Sequence, residues 1–116
     1  RDQGLSIAMV NTDAAELPDE YAKMDLHIGG MLHSCIIATA AGTPCIGLAY
    51  DEKHFGFFEL MKRGEYCLRA NPINLGVLLQ KSFELLQNSA RERTKIKTQR
   101  QELLASYLRT LKSIAP

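Results

Sequence analysis

His33 is the residue in this chain best suited to chemistry, because it follows two glycines, Gly29 and Gly30, where an apolar strand gives way to a helix without charge. An imidazole exchanges a proton near neutral pH and can serve as a general acid or base. The first amides of a helix lack intrahelical acceptors, so a turn without side chains beside them makes an anion-receptive corner. Ser34 stands next to the imidazole and Leu32 before it. A second group, Tyr50, Asp51 and Lys53, offers a phenol, a carboxylate and an ammonium that could hold a polar ligand. Each feature has a plainer reading. Paired glycines also permit close packing of strand on helix, a histidine beside an apolar helix is commonly structural, and residues 50–53 have the composition of a solvated loop. Position favours the chemical reading, since both groups fall where parallel strands end, and α/β sheets bind ligands in the crevice outside those ends.

The elements that must position these residues are legible as pattern. Asp25 to Gly29 reads as a short strand, Met31 to Ala41 as a helix, and Pro44 to Tyr50 as a second buried strand, together one parallel βαβ unit. Gly42-Thr43-Pro44 is architecture: Gly ends the helix and Pro enters the strand where its missing donor does no harm. Upstream, Leu5 to Val10 reads as a strand running into a polar turn at Asn11-Thr12-Asp13, and Leu17-Pro18-Asp19-Glu20 opens a short helix. Downstream, Phe55 to Lys62 reads as a helix stopped by Gly64, Tyr66 to Arg69 as a strand, and Asn71-Pro72 as the cap and first position of the next helix. Leu75, Leu78, Leu79, Phe83 and Leu86 recur there at helical spacing, Asn88-Ser89 interrupts it, and residues 88–116 form a terminal amphipathic helix with Ile96, Leu103, Leu104, Tyr107, Leu108 and Leu111 on one stripe. About four short strands alternating with helices predict a three-layer, Rossmann-like α/β domain over residues 1–116, with right-handed crossovers.

Composition narrows the classes. With 116 residues, 46% of them apolar, the chain can bury a core without disulfide staples. No apolar run is long enough to span a bilayer and the amino terminus lacks a signal-peptide pattern, so a cytoplasmic location is expected, with peripheral contact at the inner membrane face as the alternative. Because the chain begins at Arg1 and not at Met, already close to a strand, the expectation is a fragment or a processed product; the likeness to half of a Rossmann-type pair favours a carboxy-terminal piece of a two-domain protein. The net charge of +1 hides a basic tail, with seven Lys or Arg at 91, 93, 95, 97, 100, 109 and 112 against Glu92 and Glu102. Without aromatic interleaving or a nucleic-acid motif this reads as a solvated helix face, and no nucleic-acid partner is expected. Cys35, Cys45 and Cys67 show no Cys-x-x-Cys pairing and are expected to pack, while His27, Cys35 and His54 form no metal pattern with His33; neither metal nor cofactor is expected.

The order Asp25-Leu26-x-Ile28-Gly29-x-x-Leu32-His33-Ser34, an alanine-rich helix, Gly42-Thr43-Pro44-x-Ile46-Gly47 and Tyr50-Asp51-x-Lys53 resembles the carboxy-terminal signature of the polysaccharide pyruvyl transferases. The resemblance covers about residues 20–60 in motifs and the remainder only by element order. It implies two facing Rossmann-like domains, as in GT-B glycosyltransferases, and transfer of a pyruvyl group from phosphoenolpyruvate to a sugar as a ketal during cell-surface polysaccharide synthesis. By position it makes His33 the catalytic acid that protonates the donor's methylene carbon or orients its phosphate. Gly29, Gly30, Leu32, Ser34, Tyr50, Asp51 and Lys53 would line the donor or anion site. One departure stands out: where the family usually has Arg two residues before its His, this chain has Met31, which cannot grip an oxyanion bidentately.

Three functions are therefore in view. The first is the donor-binding domain of a pyruvyl transferase-like enzyme, inactive alone because the missing amino-terminal domain supplies acceptor contacts for a sugar or polysaccharide. The second is the nucleotide-sugar half of a GT-B glycosyltransferase. The third is a non-catalytic α/β module that associates, as a homodimer or otherwise, through its last helix.

Overall fold

The computed structural model describes residues 17–114. Helix α1 (Leu17–Ala22) leads into strand β1 (His27–Gly29), helix α2 (Leu32–Ala40), strand β2 (Cys45–Ala49) and helix α3 (Glu52–Leu60). A 3-10 turn (Gly64–Tyr66), strand β3 (Cys67–Arg69) and helices α4 (Leu75–Gln87) and α5 (Ser89–Ile114) complete the order. The three strands form one parallel sheet in the order β1-β2-β3, with His27 opposite Cys45, Gly29 opposite Gly47, and Gly47 in turn opposite Cys67. This is an α/β fold with a three-stranded parallel sheet flanked by helices. The strand expected at Leu5 to Val10 and the turn after it lie outside the described residues.

Strand β2 is central and almost wholly buried, which is why Cys45-Ile46-Gly47-Leu48-Ala49 carries no polar side chain. Ile46 and Phe58 are fully buried, and the Phe58 ring occupies the space that a side chain at Gly47 would need. Leu85 of α4 joins the same core, and Ile96 of α5 is buried to 1% exposure.

Two helix ends show how local chemistry sets the boundaries. At the end of α2, Thr43 N–H donates to Ala38 O and Gly42 N–H to Thr39 O, with Gly42 at φ 85, the Schellman closure that glycine makes without steric cost. At the end of α3 the same pair of bonds runs from Arg63 to Phe58 and from Lys62 to Glu59, and Lys62 takes the left-handed role at φ 59. Helix α3 therefore ends at Leu60, short of Gly64, the residue expected to stop it. It also starts at Glu52, earlier than Phe55, because the Asp51 side chain caps it by accepting from Lys53 N–H at 3.0 Å. The expectation that Asn71-Pro72 opens α4 is corrected in the same way: those residues form a turn, and Asn74 is the cap, accepting from Val77 N–H at 3.1 Å.

The basic helix α5 is more than a solvated face. Arg93 donates to the carbonyls of Met24 and Gly42, and Arg100 donates to Ala40 O at the end of α2. These carbonyls lie before β1 and β2, so α5 runs along the amino-terminal edge of the sheet, opposite His33. Arg63 and Glu92, both buried, pair at 2.8 Å on that side. Beyond Ile96 the expected apolar stripe is not covered: Leu104, Tyr107, Leu108 and Leu111 are exposed.

Candidate functional site

The site grows from the end of β1. Gly29 is buried and takes no positive φ, so its lack of a side chain serves proximity, not turning. A Cβ there would stand 2.5 Å from His27 Nε2 and 2.6 Å from Ser34 Oγ, two groups that are themselves 3.0 Å apart. Ser34 Oγ donates to Met31 O at 2.8 Å, which directs its proton away from His27 and leaves His27 Nε2–H to donate to the serine oxygen. Burial holds the His27 imidazole below its usual pKa. Ser34, expected to face a ligand, is thus committed to the turn.

Helix α2 begins without a side-chain cap, since Met31 at its N-cap supplies no acceptor. The amides of the first turn consequently point out at the carboxyl edge of the parallel sheet with the positive end of the helix dipole behind them. His33 is the second residue of that turn and its side chain is exposed; Leu32 beside it is half-buried. The neighbouring helix start is closed, because Asp51 already accepts from α3.

The second predicted group meets the first at Gly30. The Tyr50 ring stands against it, Cε2 lying 3.6 Å from where a Cβ would be. His54, which carried no functional expectation, is buried to 6% exposure and makes the firmer link. Its Nε2 lies 3.2 Å from Gly30 O and its Nδ1 3.1 Å from Asp51 Oδ1. Both partners are acceptors, so the ring uses both nitrogens only when both carry protons. The His54 hydrogen bond, with those from the amides of Lys53 and His54, holds the Asp51 carboxyl below the usual carboxylate range. A signal for this was present in the spacing: a polar residue three positions after an N-cap reaches back to it. Lys53 lies exposed in the first turn of α3.

The structure therefore brings Gly29, Gly30, Leu32, His33, Ser34, Tyr50 and Asp51 to one edge, with His54 as the clasp between the two loops. Arg69 ends β3 at the same edge with its guanidinium 5.2 Å above the Phe55 ring, a cation to which sequence pattern assigned no part. A groove of about 570 Å³ lined by Lys62, Arg63, Arg91 and Lys95 lies on the opposite, amino-terminal side. Three of these cations are already engaged, Arg63 and Lys95 with Glu92 and Arg91 with Asn88.

No curated protein and no solved structure matches this chain. The family model described as polysaccharide pyruvyl transferase matches residues 2–52, a stretch that includes β1, α2, β2, Tyr50 and Asp51 and ends before Lys53 and His54. That match covers the Leu32-His33-Ser34 and Gly42-Thr43-Pro44 motifs and stops inside the Tyr50-Asp51-x-Lys53 one, so residues 2–52 are similar to the polysaccharide pyruvyl transferase family.

Proposed function

We propose that this chain forms the donor-binding, GT-B-like half of a pyruvyl transferase-like enzyme that moves a pyruvyl group from phosphoenolpyruvate to a sugar. The observation that carries the reading is the uncapped start of α2, with the exposed His33 in its first turn, inside the stretch that matches the family. The amides would receive the donor's phosphate or carboxylate. His33, protonated, would give its proton to the methylene carbon, making the methyl group of the product and leaving positive charge on the adjacent carbon. One sugar hydroxyl attacks that carbon and its proton restores His33; a second hydroxyl then replaces phosphate as the C–O bond to it breaks, its proton leaving with the phosphate, which closes the ketal. With Met31 in place of an arginine, Lys53 and Arg69 are the cations at this edge available to complete charge balance.

The test is calorimetric titration of the full-length protein with phosphoenolpyruvate, beside its His33→Ala variant. Loss of one charge-assisted hydrogen bond should weaken binding about ten- to a hundredfold. Equal affinity in both proteins removes His33 from the donor site. Met31 favours one second reading, a nucleotide-sugar site, which needs no bidentate arginine at that position. Binding of a nucleoside diphosphate without binding of phosphoenolpyruvate would establish that reading in place of the first.

A further inference from the structure

Independently of the donor site, three soft ligands converge beneath it. One ring nitrogen of His27 and the sulfurs of Cys35 and Cys45 all lie within 4.8 Å of one another. Sequence spacing gave no hint of this, because the residues come from three elements: His27 and Cys45 are register partners on β1 and β2, and Cys35 faces them from the second turn of α2. Both cysteines are buried, at 0% and 2% exposure, and neither is in a disulfide. We propose that His27, Cys35 and Cys45 bind a thiophilic divalent cation, Zn²⁺ in type, as a structural tie between the sheet and α2.

The geometry suits it. With Zn–S near 2.3 Å and Zn–N near 2.0–2.1 Å, tetrahedral coordination places sulfurs about 3.8 Å apart and sulfur about 3.6 Å from nitrogen. Reaching those separations from within 4.8 Å takes side-chain movements of about an ångström. Two thiolates and a neutral imidazole select Zn²⁺ over the hard cations Mg²⁺ and Ca²⁺, which take oxygen ligands. Two thiolates also cancel the cation's charge, which a site within the buried apolar core requires. Binding releases the two thiol protons to solvent and changes no oxidation state. The Cys35 sulfur gives up its contact with Gly29 O at 3.6 Å. Half-buried His27 at the rim provides the entry side and leaves the fourth position to solvent.

Purified, reduced protein should bind one Zn²⁺ per chain in competition with a chromogenic chelator, and Co²⁺ in its place should show thiolate charge-transfer absorption. Cys35→Ser and Cys45→Ser should each weaken binding more than about 100-fold, beyond the effect typical of losing an outer-shell partner. Cys67→Ser, on β3 and outside the cluster, should leave it unchanged. Should the serine variants fail to fold, alkylation of the unaltered protein decides: under partially denaturing conditions Zn²⁺ should shield Cys35 and Cys45 from iodoacetamide more strongly than it shields Cys67. Substoichiometric Zn²⁺, a Co²⁺ spectrum without sulfur ligation, or equal alkylation with and without metal overturns the proposal.

Discussion

Replacing Gly29 by alanine should damage this protein for a reason that can be separated from backbone strain. The backbone at Gly29 takes no positive φ, so alanine is conformationally allowed. Its methyl group, however, would lie 2.5 Å from His27 Nε2 and 2.6 Å from Ser34 Oγ, about 1 Å inside ordinary contact. Those groups cannot both retreat and keep their 3.0 Å hydrogen bond. Overpacking costs about 1–3 kcal/mol and the lost bond about 0.5–1.5 kcal/mol, offset by the 0.5–1 kcal/mol that alanine gains over glycine in the unfolded chain, for a net loss of about 1–3 kcal/mol. Urea unfolding in the presence of a chelator measures it as a fall in midpoint with unchanged slope. Gly30→Ala is the control: its methyl would meet only Tyr50 at 3.6 Å, so stability should change by less than about 0.5 kcal/mol. The decisive comparison is a chain already carrying His27→Ala and Ser34→Ala, in which the Gly29 substitution should become neutral or mildly stabilising. The same penalty in both backgrounds would refute the crowding argument.

His54→Ala should strand the Gly30 carbonyl and leave a cavity, costing about 2–4 kcal/mol by urea unfolding, and should weaken donor binding at the α2 turn even where the fold survives; unaltered donor affinity in folded variant would show that the clasp does not position the turn. Burial depresses the His27 pKa, so below about pH 6.5 the unfolded chain takes up a proton that the native one resists, and thermal stability should fall as pH drops through that range; His27→Gln should flatten the profile. Arg63→Ala leaves the buried Glu92 carboxylate without its 2.8 Å partner and should cost about 3–5 kcal/mol in chemical denaturation. Glu92 is pushed up by burial and pulled further down by Arg63 and Lys95, so the variant's stability should recover partly in acid, as Glu92 protonates. Lys62→Gly relieves a left-handed lysine at φ 59 and should raise the unfolding midpoint by a margin equivalent to about 0.5–1 kcal/mol.

Much of this molecule was legible from residue order. Short-range physics sets a strand of apolar residues ended by glycine, a helix closed by Gly42, and a buried central strand between Thr43 and Tyr50, and these local signals survive in any compact arrangement of the chain. The parallel βαβ unit that brings His33 and Tyr50 to one edge follows from them, because two strands joined by a helix pair parallel. Tertiary structure decided what side chains do once brought together. Asp51 reads equally as a ligand or a cap until His54 is seen reaching from it to Gly30, and Ser34 reads as a site residue until its oxygen is found between Met31 and His27. The guanidinium groups of Arg93 and Arg100 look solvated until they meet carbonyls 51 to 69 residues away. The convergence of His27, Cys35 and Cys45 is of the same kind: sequence distance carries no information about it, since register between strands and the face of a helix are settled by packing of the whole core.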